Sequence, residues 1–118
     1  MDRRAVFKTV KEHLLQQETP CGDYAGCRYH GDHGKKCAVG CLIPSSLYTN
    51  SLEGHSVSNP EIIRVVEKAL DVKLNMEDVS FLMRLQTFHD KAAKKNVGKF
   101  TEEMFVELEQ ELKRAGMF

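Results

Sequence analysis

The sequence has no surplus of charge of either sign. Lysine and arginine together number 17, aspartate and glutamate also number 17, and the formal net charge is +0. Proteins that bind nucleic acids usually carry a basic surplus, so nucleic acid is not the expected partner. Positive charge can still be concentrated in one local patch, and the distribution of charge along the chain therefore carries more information than its sum.

Long apolar segments are also missing. No run approaches the ~18 apolar residues of a transmembrane helix, so no membrane span is predicted. The N-terminal residues Met-Asp-Arg-Arg-Ala-Val-Phe-Lys lack the apolar core of a signal peptide. We therefore expect a cytoplasmic protein, in which thiols stay reduced. The four cysteines are then metal ligands, reactive thiols or small buried residues rather than a disulfide framework.

Most of the sequence has the pattern of amphipathic helices. Apolar residues recur at helical spacing in four segments, the first from about residue 3 to residue 17. Pro60 suits the first position of the second helix, and Gly116 suits the position after the last. Each segment follows a residue that can accept hydrogen bonds from the first helical turn: Asp2, Ser58 or Asn59, Asn75, and Thr101.

Cysteine, histidine and glycine are concentrated in residues 27–44, Cys-Arg-Tyr-His-Gly-Asp-His-Gly-Lys-Lys-Cys-Ala-Val-Gly-Cys-Leu-Ile-Pro. The tetrapeptide Gly-Asp-His-Gly at 31–34 is typical of a turn and predicts a β-hairpin with strands near 26–30 and 35–39. Side chains alternate along a strand, and a turn centred on Asp32 predicts one core face and one solvated face. The core face holds Cys27, Tyr29, Cys37 and Val39; the solvated face holds Arg28, His30, Lys36 and Ala38.

The predicted fold class is therefore α+β. It is mostly helical, with about four helices and one small β-hairpin packed on the bundle. A chain of 118 residues is expected to form a single domain, residues 1–118.

Cationic side chains cluster around the predicted hairpin turn: Arg28, His30, His33, Lys35 and Lys36. Such a cluster is most often solvated surface. As a docking surface, it suits an acidic patch on a protein or a phosphate-bearing ligand. This hypothesis needs no cofactor, and the cysteines then serve as small buried residues.

Zinc is an alternative, because thiolate and imidazole groups are ligands that zinc prefers. The candidate ligands are Cys27, His33, Cys37 and Cys41, that is, three cysteines with a histidine in a zinc-stabilised binding domain. The pattern is weak, since structural zinc sites favour Cys-x-x-Cys pairs and none is present.

A cysteine-dependent enzyme is the third hypothesis. Cys41 precedes a predicted helical turn, and the positive end of a helix lowers a thiol pKa. His89 is the candidate base and Asp90 its candidate orienting group. However, adjacent helical residues point about 100° apart, so Asp90 is not expected to orient His89.

Two blocks of the sequence resemble a family of small phage and prophage proteins. The first block comprises Cys27-Arg28-Tyr29-His30-Gly31, Gly34-Lys35-Lys36-Cys37-Ala38-Val39-Gly40-Cys41-Leu42-Ile43-Pro44, Tyr48 and Glu53-Gly54. The second block is Leu85-Gln86-Thr87-Phe88-His89-Asp90. The order of these blocks is the specific feature, and the resemblance spans most of residues 5–115.

This chain departs from the family pattern in two places. The family usually has arginine where this chain has His30, and often has an acidic residue where it has Ser45. The resemblance does not imply any particular activity or mechanism. It implies a phage-encoded protein in the cytoplasm of the infected bacterial cell. Small phage proteins of this kind often bind and modulate a host protein, and by that analogy we expect this protein to act by binding.

Overall fold

The computed structural model describes the backbone of residues 1–23, 26–95 and 98–118. Four α-helices account for most of these residues: α1 (Arg3–Gln17), α2 (Pro60–Leu70), α3 (Met76–Lys94) and α4 (Glu102–Arg114). Single turns of 3₁₀ helix form at Asp32–Gly34, Gly40–Leu42 and Asn50–Leu52.

The four helices begin at the predicted capping residues. In each case the side-chain oxygen accepts a backbone N–H of the first turn, which satisfies a donor that has no partner within the helix. The caps are Asp2, Asn59, Asn75 and Thr101. Gly116 follows α4 with a φ of +73°, as expected for the residue that ends a helix. The helix predictions are therefore confirmed.

The predicted α+β class is wrong, because the described residues form a helical protein without a β-sheet layer. Extended pairing is limited to Gly22–Asp23 beside Gly26–Cys27, two residues on each side, and to one bridge between His30 and Lys36. Neither amounts to the predicted hairpin with strands at 26–30 and 35–39.

The predicted hairpin fails because its second half turns into helix. The Cys37 N–H donates to the Tyr29 carbonyl at 3.2 Å, which centres the turn on His33 instead of Asp32. Beyond that point the Cys41 N–H donates to the Cys37 carbonyl at 3.0 Å, a helical bond. A helical turn does not alternate its side chains, so the two predicted faces do not exist.

Burial in this segment follows from the helical turn. Ala38 and Val39, predicted on opposite faces, are both fully buried. Tyr29 and Cys37 are buried as predicted, whereas Cys27, predicted in the core, is exposed. The Gly40–Leu42 turn contacts both α1 and α2. Residues 37–43 are therefore part of the core of a helical protein.

The helices supply the rest of the core. The apolar stripes predicted for α3 and α4 are buried, including Leu82, Leu85, Leu108 and Leu112. α1 contributes Val10 and Leu14, and α2 contributes Ile62 and Val66. One face of α3 thus packs into the core, and its neighbouring face carries the polar residues described next.

Candidate functional site

The predicted cationic cluster is not one free surface. The Arg28 guanidinium donates to the Asn50 side chain at 3.3 Å and lies 4.0 Å from a Glu53 carboxylate oxygen. His33 is exposed, with a left-handed φ of 59°. Lys35 and Lys36 are half-buried. Only part of the predicted cluster therefore resembles a solvated docking surface.

His30 has a structural role. Its ring stacks on Tyr48, with the centroids 4.2 Å apart and the planes 13° apart. Its Nε2 lies 3.0 Å from the Gly40 carbonyl and 2.9 Å from the Ile43 carbonyl. Because carbonyl oxygens only accept, Nε2 carries a proton and donates to both. The ring thus ties the first half of residues 27–44 to the second.

Glu53 holds the same region through three hydrogen bonds to its carboxylate. Its carboxylate accepts the backbone N–H groups of Tyr29 at 2.9 Å and His30 at 3.1 Å. It also accepts the Tyr48 hydroxyl at 2.6 Å. In the sequence, Glu53 is marked by the Glu-Gly pair that belongs to the resemblance. The hydrogen bonds of its carboxylate give this glutamate a structural role.

Arginine at position 30 should preserve these contacts. We expect His30→Arg to change the free energy of unfolding by less than about 1 kcal/mol, since a guanidinium also stacks on a tyrosine and donates to two carbonyls. His30→Ala should cost about 1–3 kcal/mol, because the Ile43 carbonyl loses its side-chain donor, the Gly40 carbonyl keeps only the Ile43 N–H, and the stacking on Tyr48 is lost. Urea unfolding of both variants measures the difference. An arginine variant as unstable as the alanine variant would contradict the assigned role.

The alternative zinc set does not assemble. Cys37 is fully buried and accepts the Gly40 N–H at 3.3 Å, Cys41 donates to the Ala38 carbonyl at 3.0 Å, and His33 is exposed. Within residues 1–23, 26–95 and 98–118, metal-ligand atoms converge in a different place. There Cys27, His89 and Asp90 lie within 4.8 Å of one another.

His89 is the buried centre of this cluster. It is fully buried on α3, and its Nε2 accepts the Cys21 backbone N–H at 2.9 Å. A backbone N–H only donates, so Nε2 has no proton and the single ring proton lies on Nδ1. Nδ1 is 3.0 Å from Asp90 Oδ1 and donates to it. Asp90 thus does contact its neighbour, contrary to the expectation from helical angles.

The assigned proton also limits metal binding. A metal at His89 Nδ1 would have to replace the proton there while Nε2 remained an acceptor for the Cys21 N–H. Both nitrogens would then lack protons, which requires an imidazolate or a broken buried hydrogen bond. The residues present therefore do not fit a metal centre at His89 in this arrangement.

Asp90 is held as a carboxylate. Burial acts to raise its pKa, but hydrogen bonds from His89, Cys27 and Gln86 outweigh burial and leave the pKa below its usual value. The Gln86 amide donates to Oδ1 at 2.8 Å, and the other end of that amide accepts the Val39 N–H at 3.0 Å. The carboxylate is therefore both charged and fixed in position.

The cysteines are poor nucleophiles in this environment. Burial raises the pKa of Cys41 to about 12. Cys27 is exposed as a residue, but partial desolvation of its thiol and the adjacent Asp90 charge raise the pKa of Cys27 to about 12. Near neutral pH both stay thiols, whereas the thiolate is the reactive form. Both nitrogens of His89 are already bonded to Cys21 and Asp90, so Cys41 and His89 do not form the predicted catalytic pair.

An open groove of about 1160 Å³ runs beside this cluster. Asp90, Gln86, Thr87 and Met83 of α3 line one side, and Cys27, Arg28, Tyr29 and Val57 line the other. Cys27 comes from the first block of the resemblance and Asp90 from the second, so the fold brings the two blocks together at the groove. Sequence reasoning named both blocks and missed that they share a site.

No helix in the described part of the chain has the length and apolar character needed to cross a membrane. Comparison of the chain with known protein families, with curated proteins and with solved structures gives no match.

Proposed function

We propose that this protein is a small phage-encoded protein of the bacterial cytoplasm that acts by binding and thereby modulates a host protein. The observation that supports this proposal is the open groove beside Asp90. In this groove the Asp90 and Gln86 side chains are held by hydrogen bonds within the protein, and the walls include apolar residues. Binding sites commonly combine apolar walls with a few oriented polar groups.

Catalysis by cysteine receives less support. It needs a thiolate and a free base, while the Cys41 pKa is raised to about 12 and His89 uses both ring nitrogens in structural hydrogen bonds. A zinc-stabilised domain receives less support too, because Cys37 and Cys41 bond to nearby backbone groups and do not join Cys27 in a ligand cluster within the described residues.

A thiol variant tests binding against catalysis. Folded Cys41→Ala should retain capture of its partner from bacterial lysate and any growth phenotype in the host, because the proposal assigns the Cys41 thiol no chemistry. Native mass spectrometry of the purified parent should show the chain with less than about 0.2 zinc per chain, since structural zinc would otherwise supply much of the folding free energy. A folded Cys41→Ala protein that loses every phenotype would overturn the proposal.

Charge reversal tests the cationic surface that remains. If the captured partner is acidic or carries phosphate, Lys35→Glu with Lys36→Glu should weaken capture, and added salt should weaken capture by the parent. The matched control is Lys68→Glu with Lys73→Glu, which changes the same charge at exposed positions elsewhere. Both double variants should keep the stability of the parent within about 0.5 kcal/mol per substitution. Equal loss of capture in both would contradict a specific surface.

A further inference from the structure

We propose that the groove beside Asp90 binds an extended polypeptide segment that places a lysine or arginine side chain on the Asp90 carboxylate. This inference rests on the proposed function and specifies the chemistry of the partner. It arises from three features: a fixed carboxylate, the lack of a cationic partner for it among the described side chains, and the size of the groove.

The Asp90 carboxylate is oriented toward a ligand in advance. The hydrogen bonds from His89 and Gln86 both end on Oδ1, and the Asp90 side chain is still 45% exposed, so part of the carboxylate is accessible to a ligand. The donors are themselves anchored, His89 by the Cys21 N–H and Gln86 by the Val39 N–H. A group that is already ordered loses little conformational entropy on binding.

The groups that hold Asp90 are neutral. The side chains of His89, Gln86 and Cys27 donate hydrogen bonds, but none brings a positive charge, because the assigned His89 tautomer carries one proton. The Asp90 side chain is 45% exposed, and it lines the groove. A ligand ammonium or guanidinium would supply the opposite charge, and charge-assisted hydrogen bonds of this kind are strong.

Two cations of the protein also line the groove. Arg28 lies beside Glu53 and bonds to Asn50, so its charge is directed elsewhere. Lys94 is exposed and follows Asp90 by one turn of α3. Among the described side chains, no ion pair within 4.0 Å joins Lys94 to Asp90. Lys94 competes with a cationic ligand for Asp90, which makes it a useful position for a test.

The size of the groove favours a polypeptide over a small amine. Its volume of about 1160 Å³ exceeds the roughly 300–1,000 Å³ of pockets that enclose small molecules. The exposed Met83 adds apolar surface along it, beside the edges of the nearly buried Tyr29 and Val57. An extended segment can contact these side chains while one basic residue reaches Asp90.

A random peptide library displayed on phage provides the probe. Peptides selected on the parent protein should be enriched in lysine or arginine, and their affinity is then measured by fluorescence anisotropy. Asp90→Asn should weaken binding by about tenfold or more, because one charge-assisted contact is lost. The variant should still fold, since an asparagine oxygen can accept the same bonds from His89 and Gln86, and thermal unfolding checks this.

Two further variants make the test specific. Lys94→Ala should strengthen binding a few-fold, because it removes the competing cation. Glu107→Gln removes the same charge as Asp90→Asn from an exposed position on α4, away from the groove, and should leave affinity unchanged. Replacing the basic residue of a selected peptide with glutamine should weaken binding to the parent and have little further effect on Asp90→Asn.

Several results would overturn the inference: no selected peptides, peptides without basic enrichment, equal affinity for the parent and Asp90→Asn, or stoichiometric zinc held through Cys27 and Asp90. Acidic peptides that depend on Lys35 and Lys36 would also overturn it, while leaving a binding function in place. Loss of every phenotype in folded Cys41→Ala would instead overturn the proposed function itself.

Discussion

Gly40→Ala is expected to lower the free energy of unfolding by about 3 kcal/mol or more, as overpacking against rigid backbone does at its upper range. A Cβ atom at Gly40 would lie 2.0 Å from the Tyr29 carbonyl oxygen and 2.7 Å from its carbon. Neither atom can move aside, since the Tyr29 N–H is held by Glu53 and its carbonyl accepts the Cys37 N–H. Urea unfolding followed by circular dichroism measures the loss.

Gly98→Ala is the matched control. Among the described residues, and apart from its chain neighbours, nothing lies within 4 Å of a Cβ built on Gly98, so this variant should stay within about 0.5 kcal/mol of the parent. Because Gly40 is not among the glycines with positive φ, a large effect there would come from close packing rather than from backbone conformation. Equal stability of the two variants would show that residues 37–43 do not pack against Tyr29 as described.

His89→Ala is expected to cost roughly 3–5 kcal/mol. Truncation of a large buried side chain leaves a cavity, and the buried Cys21 N–H loses its acceptor. The ring is fully buried, and it joins α3 to the segment that contains Cys21 through a bond of 2.9 Å. Thermal and urea unfolding should both register the loss.

His89→Gln separates the hydrogen bond from the packing. A glutamine oxygen can accept the Cys21 N–H, so the variant should recover about 1–2 kcal/mol relative to His89→Ala. It should also recover binding of selected peptides in part, if Asp90 is positioned through His89. Should His89→Ala unfold like the parent, the assigned tautomer and the anchored carboxylate would both be wrong.

The two blocks of the family resemblance have different roles in this structure. In the first block, Gly40, His30 and Tyr48 form contacts that hold residues 27–53 together. In the second block, Gln86, His89 and Asp90 orient a carboxylate toward a groove. We therefore infer that the first block preserves the shape of the loop region, whereas the second supplies the polar group that a partner meets.

Local pattern was sufficient to locate the helices. Capping by Asp2, Asn75 and Thr101 depends on a side chain and on N–H groups within three residues of it. The buried stripes of α3 and α4 repeat at the helical period, which is a property of neighbouring residues alone. The helix bounds were therefore predictable without knowledge of any long-range contact.

Residues 27–44 were not predictable in the same way. Turn residues at 31–34 favoured a hairpin, but the segment after Cys37 becomes helical where Gly40 packs on the Tyr29 backbone. The contact between Gly40 and the Tyr29 backbone is not one that the predicted strand pairing contains. Its energy depends on how closely the two backbone segments approach, and amino-acid composition does not reveal that distance. Cys27 is exposed whereas Cys37 is buried and bonded to the Gly40 N–H, so neither the predicted core face nor the predicted zinc set forms.

The site was decided by tertiary structure. Asp90 and His89 are adjacent in sequence, yet their contact depends on Cys21, whose N–H fixes the His89 tautomer from 68 residues away. Cys27, 63 residues before Asp90 in the sequence, lies beside it only through the tertiary fold. Sequence alone determined where the four α-helices lie, since that depends on local hydrogen bonds and periodicity. The tertiary structure decided which polar groups share a groove and which proton His89 carries, since those depend on contacts between distant segments.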